Sequence, residues 1–410
     1  MHLRHLSLTN FRNYTRLEAD FPSGALLLVG ANAQGKTSLL EAVYYLTAAS
    51  SPHALSDRQL INFRALRETQ PFARIVAEVS ARDERKRIEI RLIEEPVSFP
   101  AGSYSGQAGE FRFKKEIFVN GVRMRVGDLA GQFNAVMFLP HEMQVIEGAP
   151  AARRRYLDAA LSQVDRAYAG ALAEYGKVIS QRNALLKLFQ ESGGDDAQLE
   201  FWDEQLVEHG ALVIQARAAA LHELERLAAP IHRALTRGAE VLRLVYRPSF
   251  DPAAPPQGQI TLPMDIPIER GGIPLDEIRG GLLHRLQERR ADEIARGMTT
   301  VGPHRDEVRF LASGLDLGSY GSRGQARTAL LALKLAEMAW MRQKAGEWPV
   351  LLLDEIMAEL DGERRADLLT RINGAEQAVI TTTDLAMFTE SFKQKARIWS
   401  IRAGTVTEDQ

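Results

Sequence analysis

Residues 30–37 read GANAQGKT, and most of the structural predictions follow from this segment. It matches the pattern G-x-x-x-x-G-K-[ST] in full, and it lies between an apolar run at 25–29 and a helical pattern from Ser38 to Leu46. Glycines let the backbone pass close to a phosphate group, and the amides of such a loop point inward at an anion. The segment therefore predicts a phosphate-binding loop between a buried strand and a helix.

The loop predicts a site for ATP with Mg²⁺. Lys36 would reach the β- and γ-phosphates, and the Thr37 hydroxyl would ligate the metal. The residues predicted to bind the nucleotide are Gly30, Ala31, Asn32, Ala33, Gln34, Gly35, Lys36, Thr37 and Ser38.

A second apolar strand, VLLLDE at 350–355, ends in two acids. A phosphate loop needs a carboxylate on a neighbouring strand to hold Mg²⁺. We therefore expect Thr37 and Asp354 to bind the metal, Asp354 through water. Glu355 is expected to orient and deprotonate the attacking water.

Three further segments have the spacing of ATP-binding-cassette ATPases. Asp361 follows Asp354 at the spacing of a D-loop, and Thr383 occupies the position of the switch histidine of transporters, where it would contact the γ-phosphate. The segment SRGQ at 322–325 opens a helical pattern and is similar to the cassette signature, which meets the nucleotide of the partner subunit. The residues predicted to act in trans are Ser322, Gly324 and Gln325. The predicted catalytic residues are Lys36, Asp354, Glu355 and Thr383.

Lys36 and Asp354 are 318 residues apart, so the chain must leave the ATPase core and return to it. From about residue 150, apolar residues recur every three or four positions, which predicts one long helix up to the loop at 191–196 and a second from about Leu199 to Leu235. The fold class predicted is α/β: a cassette-type P-loop ATPase head of the SMC kind with an inserted helical arm. Its predicted parts are residues 1–150 (head), 151–297 (arm and linker) and 298–410 (head).

Composition bounds the class of protein. The 410 residues are 45% hydrophobic and 25% charged, and the absence of cysteine excludes a disulfide scaffold, a Cys-ligated zinc site and a Cys nucleophile. The N-terminal residues lack the apolar core of a signal peptide, and no apolar run reaches 18 residues, so we expect a cytoplasmic protein without membrane partners. The net charge of -2 argues against nucleic-acid binding on composition alone, although affinity depends on the phosphates contacted.

Longer segments resemble the RecF family of bacterial DNA replication and repair proteins. They include LSLTNFRNY, SLLEAVYYL, MFLPHEMQVIEGAPAARRRYLD, TTVGPHRDEV, YGSRGQARTALLALKLAE, LLLDEIMAELD and ITTTD. The resemblance implies a nucleoid-associated protein that dimerises with ATP, engages duplex DNA beside single-strand gaps, and helps RecA load together with RecO and RecR. It also implies slow, DNA-stimulated ATP hydrolysis that acts as a release switch. The family usually has glycine where this chain has Ala33.

Two alternatives stay open. Another SMC-like or cassette ATPase head, such as a transporter energiser, is disfavoured by the 318-residue separation and by the segment GPHRD at 302–306. A nucleotide-binding DNA scaffold without hydrolysis is disfavoured by the intact pair of Asp354 and Glu355. For the 302–306 segment itself, a conformational coupling or nucleotide-adjacent loop and a simple turn are equally compatible with the sequence. Arg12 fits either a position near the nucleotide or an exposed turn.

Overall fold

The computed structural model describes residues 1–82, 84–96, 111–253, 270, 272–372 and 374–409. The turn-rich sequence at 94–110 predicts a hairpin tip or insertion, and the proline- and glycine-rich sequence at 247–274 predicts a long irregular stretch; both segments lie largely outside the described residues. The described residues form two compact units, one of residues 1–140 and 341–410 and one of residues 141–340.

The strands of the described chain are β1 (His2–Phe11), β2 (Tyr14–Asp20), β3 (Gly24–Val29), β4 (Phe72–Ala81), β5 (Glu84–Pro96), β6 (Phe111–Val119), β7 (Val122–Met124), β8 (Ala135–Phe138), β9 (Leu242–Arg247), β10 (Glu307–Ala312), β11 (Leu315–Asp316), β12 (Val350–Asp354), β13 (Gln377–Thr382), β14 (Arg397–Arg402) and β15 (Thr405–Asp409). The helices are α1 (Lys36–Ala48), α2 (Met143–Glu147), α3 (Pro150–Val164), α4 (Arg166–Ser192), α5 (Gln198–Leu235), α6 (Leu275–Arg296), α7 (Leu317–Tyr320), α8 (Arg323–Ala345), α9 (Ile356–Glu359), α10 (Gly362–Ile372) and α11 (Glu390–Lys393).

The first unit contains a mostly parallel sheet that carries the phosphate loop. Its strand order is β15-β14-β3-β13-β12-β8, and β3 runs parallel to both β13 and β14. Leu26, Leu27 and Leu28 of β3 are fully buried, which is typical of a central strand covered on both faces. Because parallel strands end at one edge of a sheet, the segments that follow β3, β12 and β13 meet at that edge.

The second sheet of this unit is antiparallel, with the order β2-β1-β4-β5-β6-β7. Alternate residues of its strands, such as Ile75 and Ile90, are fully buried and share one hydrophobic core with Leu40 of α1 and Leu352 of β12. The dipeptide Asn120-Gly121 predicts a two-residue hairpin turn, and the pairing of β6 with β7 confirms it. Asn120 has φ 51° and Gly121 has φ 79°, the positive values of the favoured two-residue turn.

The second unit is built on the antiparallel helices α4 and α5. The prediction of the second helix is confirmed by α5, but the prediction of one long helix before it is wrong. Asp165 has an extended backbone, with φ -129° and ψ 103°, and separates α3 from α4. Its side chain accepts a hydrogen bond from Tyr168 N–H at 2.9 Å and so caps α4.

A buried ion-pair network joins three helices of the second unit. Arg182 of α4 is fully buried, and it lies 2.7 Å from Asp203 of α5 and 2.7 Å from Glu293 of α6. Arg290 of α6 pairs with the other oxygen of Asp203 at 2.8 Å. Removing one partner from such a network typically costs about 3–5 kcal/mol, so these charges fix the three helices in one arrangement.

The compact units differ in extent from the predicted parts of the chain. Residues 298–340 belong to the second unit, because β10 pairs with β9 in a three-stranded sheet of order β11-β10-β9. The functional division at residues 150 and 297 stays a prediction. Among the described helices, none is long and apolar enough to cross a membrane.

Candidate nucleotide-binding site

At two positions of the phosphate loop, neighbouring atoms lie so close to the backbone that only glycine is accommodated. A Cβ atom on Gly30 would lie 2.4 Å from the carbonyl oxygen of Ile401 in β14. Gly35 has φ 116°, and a Cβ atom there would lie 2.5 Å from Asn13 Nδ2. No side chain fits at either position, so the backbone of the loop is fixed against its neighbours.

Ala33 is the position at which this loop departs from the RecF pattern. Its φ is 63°, in the left-handed region that favours glycine, and its side chain is exposed. A residue with a Cβ atom is strained there by about 1–2 kcal/mol. The chain thus carries backbone strain in the loop that a glycine at this position would not have.

Gln34 ties the phosphate loop to two adjacent turns. Its side-chain Oε1 accepts a hydrogen bond from Ala403 N–H at 2.8 Å. Its carbonyl oxygen accepts from Gly404 N–H at 2.9 Å and from Asn13 Nδ2 at 3.0 Å. Gln34 therefore positions the loop, whereas its predicted contact with a nucleotide stays a prediction.

Lys36 is buried at the start of α1, with its ammonium group inside the loop. Its Nζ donates to the carbonyl oxygens of Gly30 at 2.6 Å and Ala31 at 3.0 Å. The same atom lies 3.0 Å from Glu355 Oε1. The ammonium group is therefore placed among the loop backbone and one of the two acids, where a phosphate would meet it.

Thr37 and Asp354 meet although 317 residues separate them in sequence. Thr37 Oγ1 lies 2.9 Å from both Oδ1 and Oδ2 of Asp354, to which it donates a hydrogen bond. Asp354 is the last residue of β12 and is only 6% exposed. A hydroxyl beside a carboxylate supplies the oxygen ligands that Mg²⁺ prefers.

Thr381 is a site residue that the sequence reasoning missed. It is the register partner of Asp354 in the pairing of β12 with β13, and it is fully buried. Its Oγ1 donates to Asp354 Oδ1 at 2.8 Å and accepts from Glu355 N–H at 2.9 Å. Its place beside Asp354 follows from the register in which β12 pairs with β13, and the spacing of residues in the sequence does not reveal that register.

The other two predicted residues of this unit lie on its surface. Thr383 is exposed immediately after β13, two residues beyond Thr381. Asp361 precedes α10, where its side chain accepts from Arg364 N–H at 2.9 Å and pairs with the Arg364 guanidinium. The Arg364 backbone N–H lowers the pKa of the Asp361 carboxyl. The functional roles of Thr383 and Asp361 stay predictions.

The signature segment lies in the second unit, at the start of α8, as its sequence predicts. Gln325 N–H donates to Ser322 Oγ at 3.2 Å, and Ser322 N–H donates to Gln325 Oε1 at 2.9 Å, which is a reciprocal cap. Gln325 Nε2 also donates to Glu240 Oε1 at 2.8 Å. Ser322 and Gly324 are exposed, and the role of this segment in trans stays a prediction.

Arg12 is not a free turn arginine, because its guanidinium group is bound within the chain, whereas a position near the nucleotide stays a prediction. Its Nε and Nη2 donate to the two carboxylate oxygens of Glu41 in α1, each at 2.7 Å, and its Nη1 donates to the Gln59 carbonyl at 3.0 Å. Glu41 is 2% exposed and also accepts from the Ser51 hydroxyl. Arg12 therefore links the turn between β1 and β2 to α1, the helix that follows the phosphate loop.

The 302–306 segment lies at the centre of the second unit. Asp306 is fully buried and accepts hydrogen bonds from Arg217 at 3.2 Å and from the Tyr246 hydroxyl at 2.5 Å. His304 Nδ1 accepts from the Tyr175 hydroxyl at 2.7 Å, and burial lowers the pKa of His304 to about 4. These contacts favour a structural junction of α4, α5, β9 and β10 as the role of this segment.

Basic residues cluster in the sequence at 82–87, 112–115, 153–155 and 285–290, where they could contact a phosphate backbone, but several of them are ion-paired within the chain. Each of the following forms an ion pair with an acidic side chain: Arg87, Lys114, Lys115, Arg153, Arg285 and Arg290. Part of the positive charge in these segments is therefore balanced by neighbouring acidic side chains.

Known proteins resemble this chain over nearly its whole length. Residues 2–407 match the RecF/RecN/SMC N terminal domain family. The chain is 38% identical over 413 residues to the DNA replication and repair protein RecF of Chloroflexus aurantiacus, with 99% of each chain covered. It is 35% identical over 408 residues to the protein of the same name from Shouchella clausii, again with 99% of each covered.

Two solved structures of the recombination mediator protein RecF in the RecFOR pathway, RecF-ATPrS and RecF-ATP, superpose with TM-scores of 0.81 and 0.80. Their identities are 30% and 31%, and the match covers 100% of this chain and 98% of each. The fold is therefore a mixed α/β ATPase head of the SMC kind with a helical insertion, as predicted. The chain belongs to the RecF family of DNA replication and repair proteins.

Proposed function

We propose that this chain is an ATP-driven, dimerising DNA-binding protein of recombinational repair and replication. The observation that carries the proposal is the hydrogen bond between Thr37 and Asp354, which brings the phosphate loop and the acidic strand end together across 317 residues. Lys36 and Glu355 meet at the same place. The relatives named with bound ATP support this nucleotide as the ligand.

Each side chain of the site has a different role in the proposed hydrolysis. Lys36 would bind the β- and γ-phosphates, and Thr383 would contact the γ-phosphate. Glu355 would accept a proton from the attacking water. Thr37 and Asp354 would hold Mg²⁺, which when bound neutralises charge on the phosphates. A site with one carboxylate suits Mg²⁺, since this ion commonly takes one or two carboxylates and completes its shell with phosphates and water.

The dimer follows from the proposed role of the signature segment. Ser322 and Gly324 are exposed at the start of α8, where backbone N–H groups attract anions. In the proposed dimer, Ser322, Gly324 and Gln325 of each protomer meet the nucleotide held by the other. Asp361 would act beside them as the D-loop. A symmetric pair of such sites couples ATP binding to dimerisation.

The proposed partners are DNA, RecO and RecR, in line with relatives described as members of the RecFOR pathway. The dimer would engage duplex DNA at single-strand gaps on the bacterial nucleoid, and it would promote RecA loading. Slow, DNA-stimulated hydrolysis would release it. With a net charge of -2 and many basic side chains already paired, a monomer should bind DNA weakly. The dimer doubles the contacted phosphates, and its affinity should fall steeply with salt.

Three measurements on the wild-type chain test this function: sedimentation with and without ATP, phosphate release, and binding to gapped duplex DNA at two salt concentrations. We expect ATP to produce the dimer, gapped DNA to accelerate phosphate release, and added salt to weaken binding. ATP binding without phosphate release would instead favour the scaffold alternative. Tight DNA binding by the monomer without ATP would contradict the proposal.

The Lys36→Ala variant tests the nucleotide dependence of the dimer. Each hydrogen bond from a charged group contributes about 1.5–3 kcal/mol, so we expect ATP affinity to fall about tenfold to a hundredfold and ATP-driven dimerisation to be lost. Lys177→Ala is the matched control, because Lys177 is an exposed helical lysine that pairs with its neighbour Glu174 at 2.7 Å. Normal dimerisation of Lys36→Ala with ATP would overturn the model.

A further inference from the structure

We propose that Thr381 is the positioning residue for both acids of the site, an inference that rests on the proposed ATP hydrolysis. Thr381 would touch neither the nucleotide nor the attacking water. It would act through Asp354 and Glu355, whose carboxylate and backbone it holds with a single hydroxyl group.

The distances around the Thr381 hydroxyl determine which group it donates to and which group it accepts from. A hydroxyl group has one proton and two acceptor lone pairs. The Asp354 carboxylate at 2.8 Å is the near acceptor, whereas the Leu353 carbonyl lies at 3.5 Å. The proton therefore goes to Asp354, and a lone pair accepts the N–H of Glu355 at 2.9 Å.

Asp354 has two hydroxyl partners with different expected roles. Thr37 donates to it, but the Thr37 oxygen is itself a candidate metal ligand and would have to serve that ion. Thr381 lies on β13 and is fully buried, so its hydrogen bond does not compete with a ligand. Thr381 is thus the partner that can keep the Asp354 carboxylate oriented while the metal is bound.

Glu355 needs positioning because its backbone is strained. It has φ 49° and ψ 16°, in the left-handed region, where a residue with a side chain persists only if its surroundings hold it. The hydrogen bond from its N–H to Thr381 is one such restraint. Without it, we expect the Glu355 backbone to relax and its carboxylate to leave the position needed to take a proton from water.

A matched control is available on the same strand. Thr382 is 2% exposed, and its hydroxyl bonds to Asp384, with Asp384 N–H donating to it at 3.1 Å. Thr382→Val therefore removes a buried threonine hydroxyl from the neighbouring position without touching either acid. Any effect that follows only from losing a polar group in β13 should appear in both valine variants.

The test compares Thr381→Val, Thr381→Ser, Thr381→Ala and Thr382→Val with the wild type. For each variant, steady-state phosphate release gives kcat and KM for ATP at several Mg²⁺ concentrations, and thermal unfolding reports the fold. We expect Thr381→Val to lose about tenfold to a hundredfold in kcat while KM for ATP changes less than about threefold, because the loss falls on the acids rather than on the phosphate loop. Thr381→Ser should restore most of kcat, and Thr382→Val should keep it.

The outcomes separate this proposal from the proposed function. No phosphate release by the wild type would overturn the proposed hydrolysis itself. Turnover in the wild type that is unchanged in Thr381→Val, or lost equally in Thr382→Val, would overturn only the role of Thr381. If Thr381→Val does not fold, the comparison of Thr381→Ala with Thr381→Ser tests the proposal instead, because these two side chains differ by the hydroxyl oxygen alone. Equal kcat values for the alanine and serine variants would then reject the proposal.

Discussion

The ammonium group of Lys36 lies 3.0 Å from the carboxylate of Glu355, and both belong to the site in which phosphate is expected. Lys36 is 4% exposed, and its ammonium group also donates to two carbonyl oxygens of the loop. A triphosphate that binds the ammonium group of Lys36 must compete with the Glu355 carboxylate for that ammonium group. Nucleotide binding would therefore free the Glu355 carboxylate at the moment when a general base is needed.

Glu355→Gln should separate binding from hydrolysis. The amide cannot accept a proton from water, so we expect turnover to fall by about 10²–10⁴-fold. The loss of the competing carboxylate should leave ATP binding intact or stronger, which traps the nucleotide-bound dimer. Phosphate release and sedimentation with ATP measure the two effects. Glu390→Gln, at a side chain that is 82% exposed, is the control, and unchanged turnover in Glu355→Gln would remove this residue as the base.

Mixing two inactive variants tests whether the signature segment acts in trans. Lys36→Ala disables the phosphate loop, and Ser322→Arg places a bulky side chain at the exposed start of α8. A heterodimer of the two contains one fully intact composite site. Because only a pair of unlike protomers contains an intact site, we expect an equimolar mixture to form mainly heterodimers and to recover up to about half of the wild-type sites. A mixture as inactive as its components would place the signature in the same protomer or outside the site.

Ala33→Gly should relieve the backbone strain in the phosphate loop. At φ 63° the Cβ atom of Ala33 costs about 1–2 kcal/mol, and glycine loses part of that gain through its larger unfolded-state entropy, so we expect a net stabilisation of up to about 1 kcal/mol. Thermal or urea unfolding of the wild type and variant measures it. Ala31→Gly lies two residues away without a positive φ, and it should instead destabilise. A gain for both variants, or for neither, would argue against strain at residue 33.

His304 should make the stability of the chain depend on pH. Its pKa is lowered to about 4 in the folded state, mainly by burial, from an ordinary value of 6.5. As the pH falls, the unfolded chain therefore binds a proton on His304 before the folded chain does. The free energy of unfolding is highest above pH 6.5 as far as this group is concerned, and it decreases as the pH falls from 6.5 toward 4. The slope for one such group is about 1.4 kcal/mol per pH unit.

His304→Gln should flatten the pH dependence of the unfolding free energy between pH 6.5 and 4. Urea unfolding at several pH values measures the difference from the wild type, in which the contributions of other groups cancel. His284→Gln is the control, because the His284 side chain is 74% exposed. If the two glutamine variants have the same pH profile, the burial of His304 does not govern its titration.

Local sequence was sufficient to predict the phosphate loop and its strand and helix, because each of these depends on residues close together in the chain. The meeting of Thr37 with Asp354 was also predictable, since the chemistry of Mg²⁺ requires it. Thr381 was not, because its position follows from the register of β12 with β13. The break at Asp165 was missed for another reason: helical periodicity continues on both sides of a single extended residue.

The strand order of the parallel sheet has a consequence for biosynthesis. β3 is paired with β13 on one side and with β14 on the other, and these partners follow it by about 350 residues. At about 5–20 residues per second, a ribosome takes roughly 20–70 s to produce them. Until then the leucines of β3 lack both of the strands that flank them in the finished sheet. A chain released early would contain the whole phosphate loop yet lack the strands that hold it, and so could not compete with the finished protein for nucleotide.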